Sequence, residues 1–146
     1  MKILFVCTGN TCRSPMAEIM AKLILGEGYQ IASAGVMAMP GSAASKNAIT
    51  AMNEQQLNLT NHSSQLATQE LISSMDLILT MTESHKQAIS RMALDRVYTL
   101  GEYVGLSVSI SDPYGGDINV YRTCAKEINT LLIQLKDKLV QNPRPL

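Results

Sequence analysis

Four short apolar runs, separated by longer stretches with helical periodicity, constrain the fold of this chain most strongly. The runs span residues 2–6, 30–34, 75–81 and 96–100 and are rich in Ile, Val, Leu, Tyr or Phe. Each run is short enough to form a single strand. The first and the third are apolar without alternation, which is typical of strands covered on both faces of a sheet.

The stretches between these runs have the spacing of amphipathic helices. Apolar residues recur at helical intervals over residues 16–24 and again over residues 121–139. A second helix is expected to begin near Ser42, and a third to follow Thr80, whose spacing to Glu83 fits a capping box. Strands that alternate with helices predict right-handed crossovers and a parallel sheet covered on both sides, which is an α/β fold.

Length and composition indicate one domain over residues 1–146, with an ordinary apolar fraction of 46%. Twelve basic and twelve acidic side chains balance to a formal charge of zero, which removes the long-range field that nucleic-acid and anionic-membrane binding use. No apolar run approaches the roughly 18 residues of a membrane-spanning helix. Because Cys7, Cys12 and Cys124 do not make a disulfide framework, we expect reduced thiols and a cytoplasmic location.

The loop that follows the first strand, residues 7–15, has the composition of a phosphate-binding loop. Cys7 and Arg13 are separated by five residues, a spacing that can close around a tetrahedral anion. Backbone N–H groups then turn inward, and a helix N-terminus adds its partial positive charge. We expect Gly9 and Asn10 to supply the left-handed backbone of such a loop.

The side chains of this loop suit phosphoryl transfer. The planar fork of Arg13 can hold two phosphate oxygens at once, and the electropositive surroundings favour the Cys7 thiolate as an in-line nucleophile. Ser14 is expected to hydrogen-bond that thiolate when a phosphocysteine intermediate is hydrolysed, and to be the helix N-cap with Pro15 at the first helical position. The alternative, an inert turn, accounts for the Cys and Arg but not for the accompanying Gly, Asn and Ser-Pro.

A second loop, residues 111–117, is the candidate source of the general acid that the leaving group needs. Pro113 restrains Asp112 in an extended conformation, Tyr114 is placed to form a wall of the pocket, and two glycines that follow allow movement. Asp112 is therefore the expected acid, and Asp117 is the second choice. An ordinary polar turn is the alternative.

Four segments resemble the low-molecular-weight protein tyrosine phosphatases, nearly from end to end of the chain: residues 7–18, 33–35, 81–86 and 112–114. The resemblance implies a single three-layer domain with a four-stranded parallel sheet flanked by helices on both faces. It also implies two-step, cysteine-dependent phosphoryl transfer without a metal or other cofactor. In that chemistry Cys7 is the nucleophile, Arg13 holds the phosphate and Asp112 is the general acid.

Substrate-binding residues also follow from the resemblance: Thr8, Gly9, Asn10, Thr11, Cys12, Ser14 and Tyr114. Two positions depart from the tyrosine-specific pattern. Thr11 stands where a larger aliphatic residue is usual, and Gly115-Gly116 follows Tyr114 where a second aromatic residue is common. Both features are similar to the bacterial protein arginine phosphatases of the same superfamily, so phosphoarginine is the expected substrate. Phosphotyrosine is the alternative.

Two functions of other classes share parts of this pattern. Thioredoxin-linked arsenate reductases have the same loop but need two further cysteines after the third strand, and residues 80–91 contain none. A phosphoprotein-binding module without catalysis would not need Cys7, Arg13 and Asp112 together.

The expected partners of a phosphatase are phosphorylated proteins, with a protein kinase as the opposing enzyme; nucleic acid and membrane are not expected. A reversible disulfide between Cys7 and Cys12 would make the enzyme redox-sensitive, and a small buried side chain at Cys12 is the alternative. Cys124 lies on the apolar stripe of the last helix and is expected in the core.

Overall fold

A four-stranded, all-parallel sheet forms the centre of the structure, a computed structural model that describes residues 1–93 and 95–141. The strand order is β2-β1-β3-β4, so β1 lies inside the sheet and pairs with β2 on one side and with β3 on the other. The strands are β1 Lys2–Cys7, β2 Gln30–Gly35, β3 Leu77–Thr80 and β4 Val97–Thr99. The sheet confirms the α/β fold and the four apolar runs predicted as strands.

Helices cover both faces of this sheet: α1 Arg13–Leu25, α2 Lys46–Asn53, α3 Gln69–Ser73, α4 Glu83–Ala93, α5 Leu100–Tyr103 and α6 Ile118–Gln141. On one face, Ile3 and Phe5 of β1 pack with buried residues of α1, α2, α5 and α6. On the other face, Leu4 and Val6 pack with buried residues of α3 and α4. Because successive strand residues point to opposite faces, both faces of β1 need apolar side chains, which explains its lack of alternation.

Two helix starts differ from the sequence-based expectation. Helix α1 begins at Arg13, after the N-cap residue Cys12, which makes no side-chain capping bond; the prediction of Ser14 as N-cap is therefore wrong. Helix α2 begins at Lys46, and its N-cap Ser45 accepts a hydrogen bond from the backbone N–H of Ala48. Several residues that could act as N-cap precede each helix. The sequence alone therefore predicts the first residue of a helix less accurately than it predicts the apolar face.

The predicted capping box of Thr80 and Glu83 is also wrong. Thr80 is the last residue of β3, and its hydroxyl donates to the carbonyl of Thr82 at 2.9 Å. A capping box does form at α5, where the side chains of Thr99 and Glu102 each accept from the other residue's backbone N–H. Within the described residues, no helix is long and apolar enough to span a lipid bilayer.

Candidate active site

The loop between β1 and α1 lies at the carboxyl end of the central strand. Its first residue, Cys7, is 2% exposed, and the carbonyl of Cys7 accepts a hydrogen bond from the backbone N–H of Val36 at 2.9 Å. Asn10 has a φ of 57°, whereas the backbone of Gly9 is not left-handed. The expectation for Asn10 is confirmed and that for Gly9 is wrong, because a single left-handed residue is enough to turn this loop.

Asn10 is held in this unusual conformation from behind the loop. Its buried side-chain N–H group donates to the hydroxyls of Ser14 at 2.8 Å and Ser33 at 2.9 Å. Its side-chain oxygen accepts from the backbone N–H of Gln65 at 2.9 Å. The hydroxyl of Ser33 in turn donates to the carboxylate of Glu18 at 2.6 Å. With these groups paired, the amide is satisfied in the interior and offsets the cost of the left-handed backbone.

The sulfur of Cys7 lies 2.8 Å from the hydroxyl oxygen of Ser14. Asn10 donates to that same oxygen, and the Ser14 hydroxyl has two acceptors, the Cys7 sulfur and, at the longer distance of 3.4 Å, the carbonyl of Ala34. When the proton points at the sulfur, it stabilises negative charge there. Ser14 is fully buried, so this hydrogen bond is shielded from water. The contact is the one predicted for Ser14 from the sequence.

Arg13 is only 4% exposed, and its guanidinium group is held by three neighbours. Nη1 donates to the carbonyl of Ile110 at 3.0 Å, and Nη2 donates to Oγ1 of Thr8 at 3.4 Å. Nη2 also lies 3.6 Å from a carboxylate oxygen of Asp112. The guanidinium therefore connects the phosphate-binding loop with the loop that carries the candidate acid.

The candidate acid lies on an exposed loop above Arg13. About half of the Asp112 side chain is exposed, at 52%, and one carboxylate oxygen accepts from the backbone N–H of Tyr114 at 3.1 Å. The second choice, Asp117, has a different place: its carboxylate accepts from the backbone N–H of Val120 at 3.1 Å and so caps the start of α6. Asp112 is the one of the two that borders the cavity described next.

A cavity of about 270 Å³ opens between the two loops. Its walls are formed by the residues Cys7, Thr8, Gly9, Thr11, Cys12, Arg13, Asp112 and Tyr114. The structure thus brings together all the site residues predicted from the sequence except Asn10 and Ser14, whose side chains lie behind the loop. The cavity therefore has a thiol, a guanidinium and a carboxyl group in its walls.

Cys12 and Cys124 have surroundings unlike those of Cys7. The Cys12 sulfur lies 3.3 Å from the hydroxyl of Tyr121 and 3.4 Å from that of Ser45; burial and the contact with Cys12 raise the pKa of Tyr121 to about 12. Cys124 is buried in the core as predicted, and burial, followed by the charge of Glu127, raises the pKa of its thiol to about 12. All three thiols are free.

Both histidines contact the loop between β1 and α1. These two contacts were not predicted from the sequence. Nε2 of His62 lies 2.7 Å from the carbonyl oxygen of Asn10, and Nε2 of His85 lies 2.8 Å from Oγ1 of Thr8. Burial and, second, the nearby Arg13 lower the pKa of His85 to about 4, against a smaller opposing effect of Asp112. The contacts join residues 52 and 77 positions apart in the chain, so no local pattern predicts them.

Among residues 1–93 and 95–141, no three or more His, Cys, Asp or Glu side chains lie close enough together to hold a metal ion. The functional groups that line the cavity are a thiol, a guanidinium, a carboxyl group and hydroxyls. Together they provide a nucleophile, a site for an anion and a proton donor, which are the parts that a cysteine-dependent phosphatase requires.

Comparison with known proteins agrees with this chemistry. The family model described as low molecular weight phosphotyrosine protein phosphatase matches residues 2–144. A Bacillus subtilis protein described as protein-arginine-phosphatase is 44% identical, over 99% of this chain and 100% of that protein. A Staphylococcus aureus protein described as low molecular weight protein-tyrosine-phosphatase PtpB is 41% identical, over 94% of this chain and 98% of that protein.

The fold is also similar to that of a solved phosphatase structure. That structure is described as YwlE arginine phosphatase, in a mutant form with a phosphorylated active site serine, and it superimposes with a TM-score of 0.94 at 42% identity over 100% of both chains. The chain therefore belongs to the low-molecular-weight phosphotyrosine protein phosphatase family, as the resemblance of its motifs predicted.

Gly35, the last residue of β2, allows the phosphate-binding loop to approach the sheet. A Cβ atom at this position would overlap the carbonyl oxygen of Thr8 and lie 2.9 Å from the backbone nitrogen of Asn10. We expect Gly35→Ala to lower the free energy of unfolding by about 1–3 kcal/mol and to lower kcat strongly, because the loop must shift.

Urea unfolding and steady-state kinetics check this prediction. Gly26→Ala is the matched control: Gly26 has a φ of 74° and no atom near its Cβ position, so alanine there strains only the backbone, far from the loop. A Gly35→Ala variant with the kcat of the Gly26→Ala variant would contradict the prediction.

The lowered pKa of His85 predicts a pH-dependent stability. Its folded-state pKa of about 4 lies below the ordinary 6.5, so only the unfolded chain takes up a proton between these values. Stability is therefore fully present above pH 6.5 and falls as the pH decreases towards 4. His85→Gln should remove roughly 1.4 kcal/mol per pH unit from the slope of unfolding free energy in this window.

Urea titrations between pH 4.5 and 7 measure that slope. Ser84→Ala, on the same turn of α4, is the control and should keep the slope of the unmodified protein. An unchanged slope in His85→Gln would show that His85 does not make this contribution.

Proposed function

We propose that this protein is a protein arginine phosphatase, which hydrolyses phosphoarginine through a phosphocysteine intermediate. The observation that carries the substrate assignment is Thr11, a small polar residue in the wall of the cavity beside Cys7 and Arg13. A larger aliphatic side chain at this position would favour a flat phenol ring, whereas a threonine leaves room and a hydroxyl for a guanidino group. The relative and the solved structure described as arginine phosphatases support this assignment.

In the first step, Arg13 and the backbone N–H groups of the loop bind the phosphoryl oxygens. The Cys7 thiolate attacks phosphorus in line, so that an S–P bond forms while the bond between phosphorus and the leaving nitrogen breaks. The Asp112 carboxyl group donates its proton to that nitrogen, which leaves as part of the arginine side chain. The phosphoryl charge is balanced throughout by the guanidinium of Arg13.

The second step regenerates the enzyme. Asp112, now a carboxylate, accepts a proton from water, and the resulting hydroxide attacks phosphorus as the S–P bond breaks. The hydroxyl of Ser14, 2.8 Å from the Cys7 sulfur, stabilises the thiolate as it leaves. Inorganic phosphate is the product, and no metal or other cofactor takes part.

Phosphotyrosine is the second candidate substrate, favoured by the relative described as a protein-tyrosine phosphatase. Tyr114 is 80% exposed at the mouth of the cavity and is available to pack against an aromatic ring. Arsenate reduction receives no support from the cysteines, because Cys124 lies on α6 with its sulfur 3.8 Å from the carbonyl of Ser111 and does not line the cavity.

The proposal extends to the setting in which the enzyme acts. Its substrates are phosphorylated proteins, its opposing enzyme is a protein arginine kinase, and residues 1–146 act as one phosphatase domain. Three free thiols support a reducing compartment such as the cytoplasm. A reversible disulfide between Cys7 and Cys12, which share one tight loop, is the proposed protection of the nucleophile against further oxidation.

The deciding experiment compares kcat/KM on matched phosphoarginine and phosphotyrosine peptides under reducing conditions, with Cys7→Ser as the inactive blank. We expect a preference for phosphoarginine, and a shift of the ratio towards phosphotyrosine in Thr11→Ile. Phosphotyrosine preference in the unmodified enzyme would overturn the substrate assignment and leave the phosphatase mechanism in place. An unchanged ratio in Thr11→Ile would show that another residue sets the specificity.

The role of Asp112 predicts how its replacement depends on the leaving group. Asp112→Asn cannot donate a proton, so kcat/KM, which reports the first chemical step, should fall most on substrates with poor leaving groups and least on aryl phosphates whose phenols are acidic. Asp117→Asn is the matched control, because Asp117 caps α6, and it should show no such trend. An equal loss of kcat/KM across a series of aryl phosphates of different leaving-group pKa would rule out Asp112 as the acid.

A further inference from the structure

A chain of hydrogen bonds leads from helix α4 to the guanidinium of Arg13. His85, in the first turn of α4, is 4% exposed and does not line the cavity. Its Nε2 lies 2.8 Å from Oγ1 of Thr8, and its Nδ1 lies 3.1 Å from Oγ1 of Thr82. Oγ1 of Thr8 accepts a hydrogen bond from Nη2 of Arg13 at 3.4 Å.

The chemistry of the three side chains sets the direction of these bonds. A guanidinium only donates, so Arg13 donates to the oxygen of Thr8. The Thr8 hydroxyl has one proton, which is paired if it points to Nε2 of a neutral His85. In that tautomer His85 carries its own proton on Nδ1 and donates it to Oγ1 of Thr82. This tautomer pairs both donors and turns the lone pairs of Thr8 towards Arg13.

The other contacts of Arg13 show why the hydrogen bond from Nη2 to Thr8 matters. Nη1 is held by the carbonyl of Ile110 at 3.0 Å, whereas Nη2 contacts only Thr8 and Asp112 among the described residues. In the first chemical step Asp112 has to carry a proton, and a neutral carboxyl group no longer attracts a cation. Within the described part of the chain, Thr8 is then the remaining contact of Nη2.

We propose that His85 is a positioning residue, which orients the Thr8 hydroxyl so that Thr8 holds Nη2 of Arg13 in place whatever the protonation state of Asp112. A hydrophobic residue at position 85 would leave the Thr8 proton without its partner and let the hydroxyl rotate. Arg13 would then lose its alignment with the equatorial oxygens of the transition state. The inference rests on the proposed phosphatase chemistry and is independent of the choice between arginine and tyrosine.

A double-mutant cycle tests this proposal with para-nitrophenyl phosphate, an aryl phosphate with a good leaving group. Thr8→Val and His85→Leu should each lower kcat about tenfold, the range expected for one hydrogen bond to a charged group. The kcat of the double variant should be no lower than that of either single variant, because His85 acts only through the hydroxyl that Thr8→Val removes. Thr8→Ser, which keeps a hydroxyl, should recover most of the activity.

His62 provides the matched control, since it is the other histidine that contacts the loop. It binds the carbonyl of Asn10 rather than a side chain, so the losses caused by His62→Leu and Thr8→Val should multiply. If instead the losses of kcat caused by His85→Leu and Thr8→Val multiply, the proposal is overturned. If His85→Leu does not fold, His85→Phe takes its place in the cycle, with thermal unfolding as the check on folding.

Inhibition constants give a second measure, which a purely structural role would not change selectively. Orthovanadate adopts the five-coordinate shape of the transition state, whereas inorganic phosphate resembles the product. We expect His85→Leu to raise the inhibition constant of vanadate about tenfold and that of phosphate less than threefold. Equal weakening of both would show a general disturbance of the loop and overturn the proposal. An unmodified enzyme without phosphatase turnover would instead contradict the proposed function itself.

Discussion

The left-handed backbone at Asn10 is the constraint on which the rest of the site depends. A chain of L-residues turns this tightly only where one residue accepts a positive φ, and here the turn lies directly after the buried strand β1. The cost is offset by the Asn10 side chain, which is fully buried and bonded to Ser14, Ser33 and the backbone of Gln65. The same bonds place Ser14 beside the Cys7 sulfur, so one amide supports both the shape of the loop and the surroundings of Cys7.

A buried positive charge is the second constraint, and it explains the neighbours of the loop. Arg13 is almost fully shielded from water, and an unpaired guanidinium would be strongly unfavourable there. The carbonyl of Ile110 and the carboxylate of Asp112 compensate part of this charge, and these contacts also hold the loop of Asp112 close to the loop of Cys7. His85 lies close to this cation and has a pKa lowered to about 4 by burial and by Arg13, so it remains neutral and is able to accept a hydrogen bond.

Strands and the site motif were predictable from the sequence, whereas boundaries and distant contacts were not. The apolar run of β1 predicts burial on both faces, and the Cys7 to Arg13 spacing predicts an anion loop at its carboxyl end. Ser14 was expected both to cap α1 and to contact Cys7; only the contact with Cys7 forms, because α1 begins two residues earlier than expected, at Arg13, and Ser14 already lies within the helix. Gly9 was expected to be left-handed, yet the buried partners of Asn10 allow that one residue to make the turn.

The sequence by itself determined the class of fold and the family to which the chain belongs, and it predicted Cys7 as the nucleophile, Arg13 as the phosphate-binding residue and Asp112 as the acid. These features are local: they depend on periodicity within a strand or helix and on spacing within one loop. Only the tertiary structure decided that Asn10 and Ser14 support the loop from behind, that Asp117 caps a helix, and that His62 and His85 contact the loop. The contacts of His62, Gln65 and His85 with the loop join residues more than 50 positions apart in the chain, and they form because α4 and the segment between α2 and α3 lie beside the loop at the end of the sheet. The Asp117 contact is local, but the sequence alone does not show which aspartate of the second loop borders the cavity.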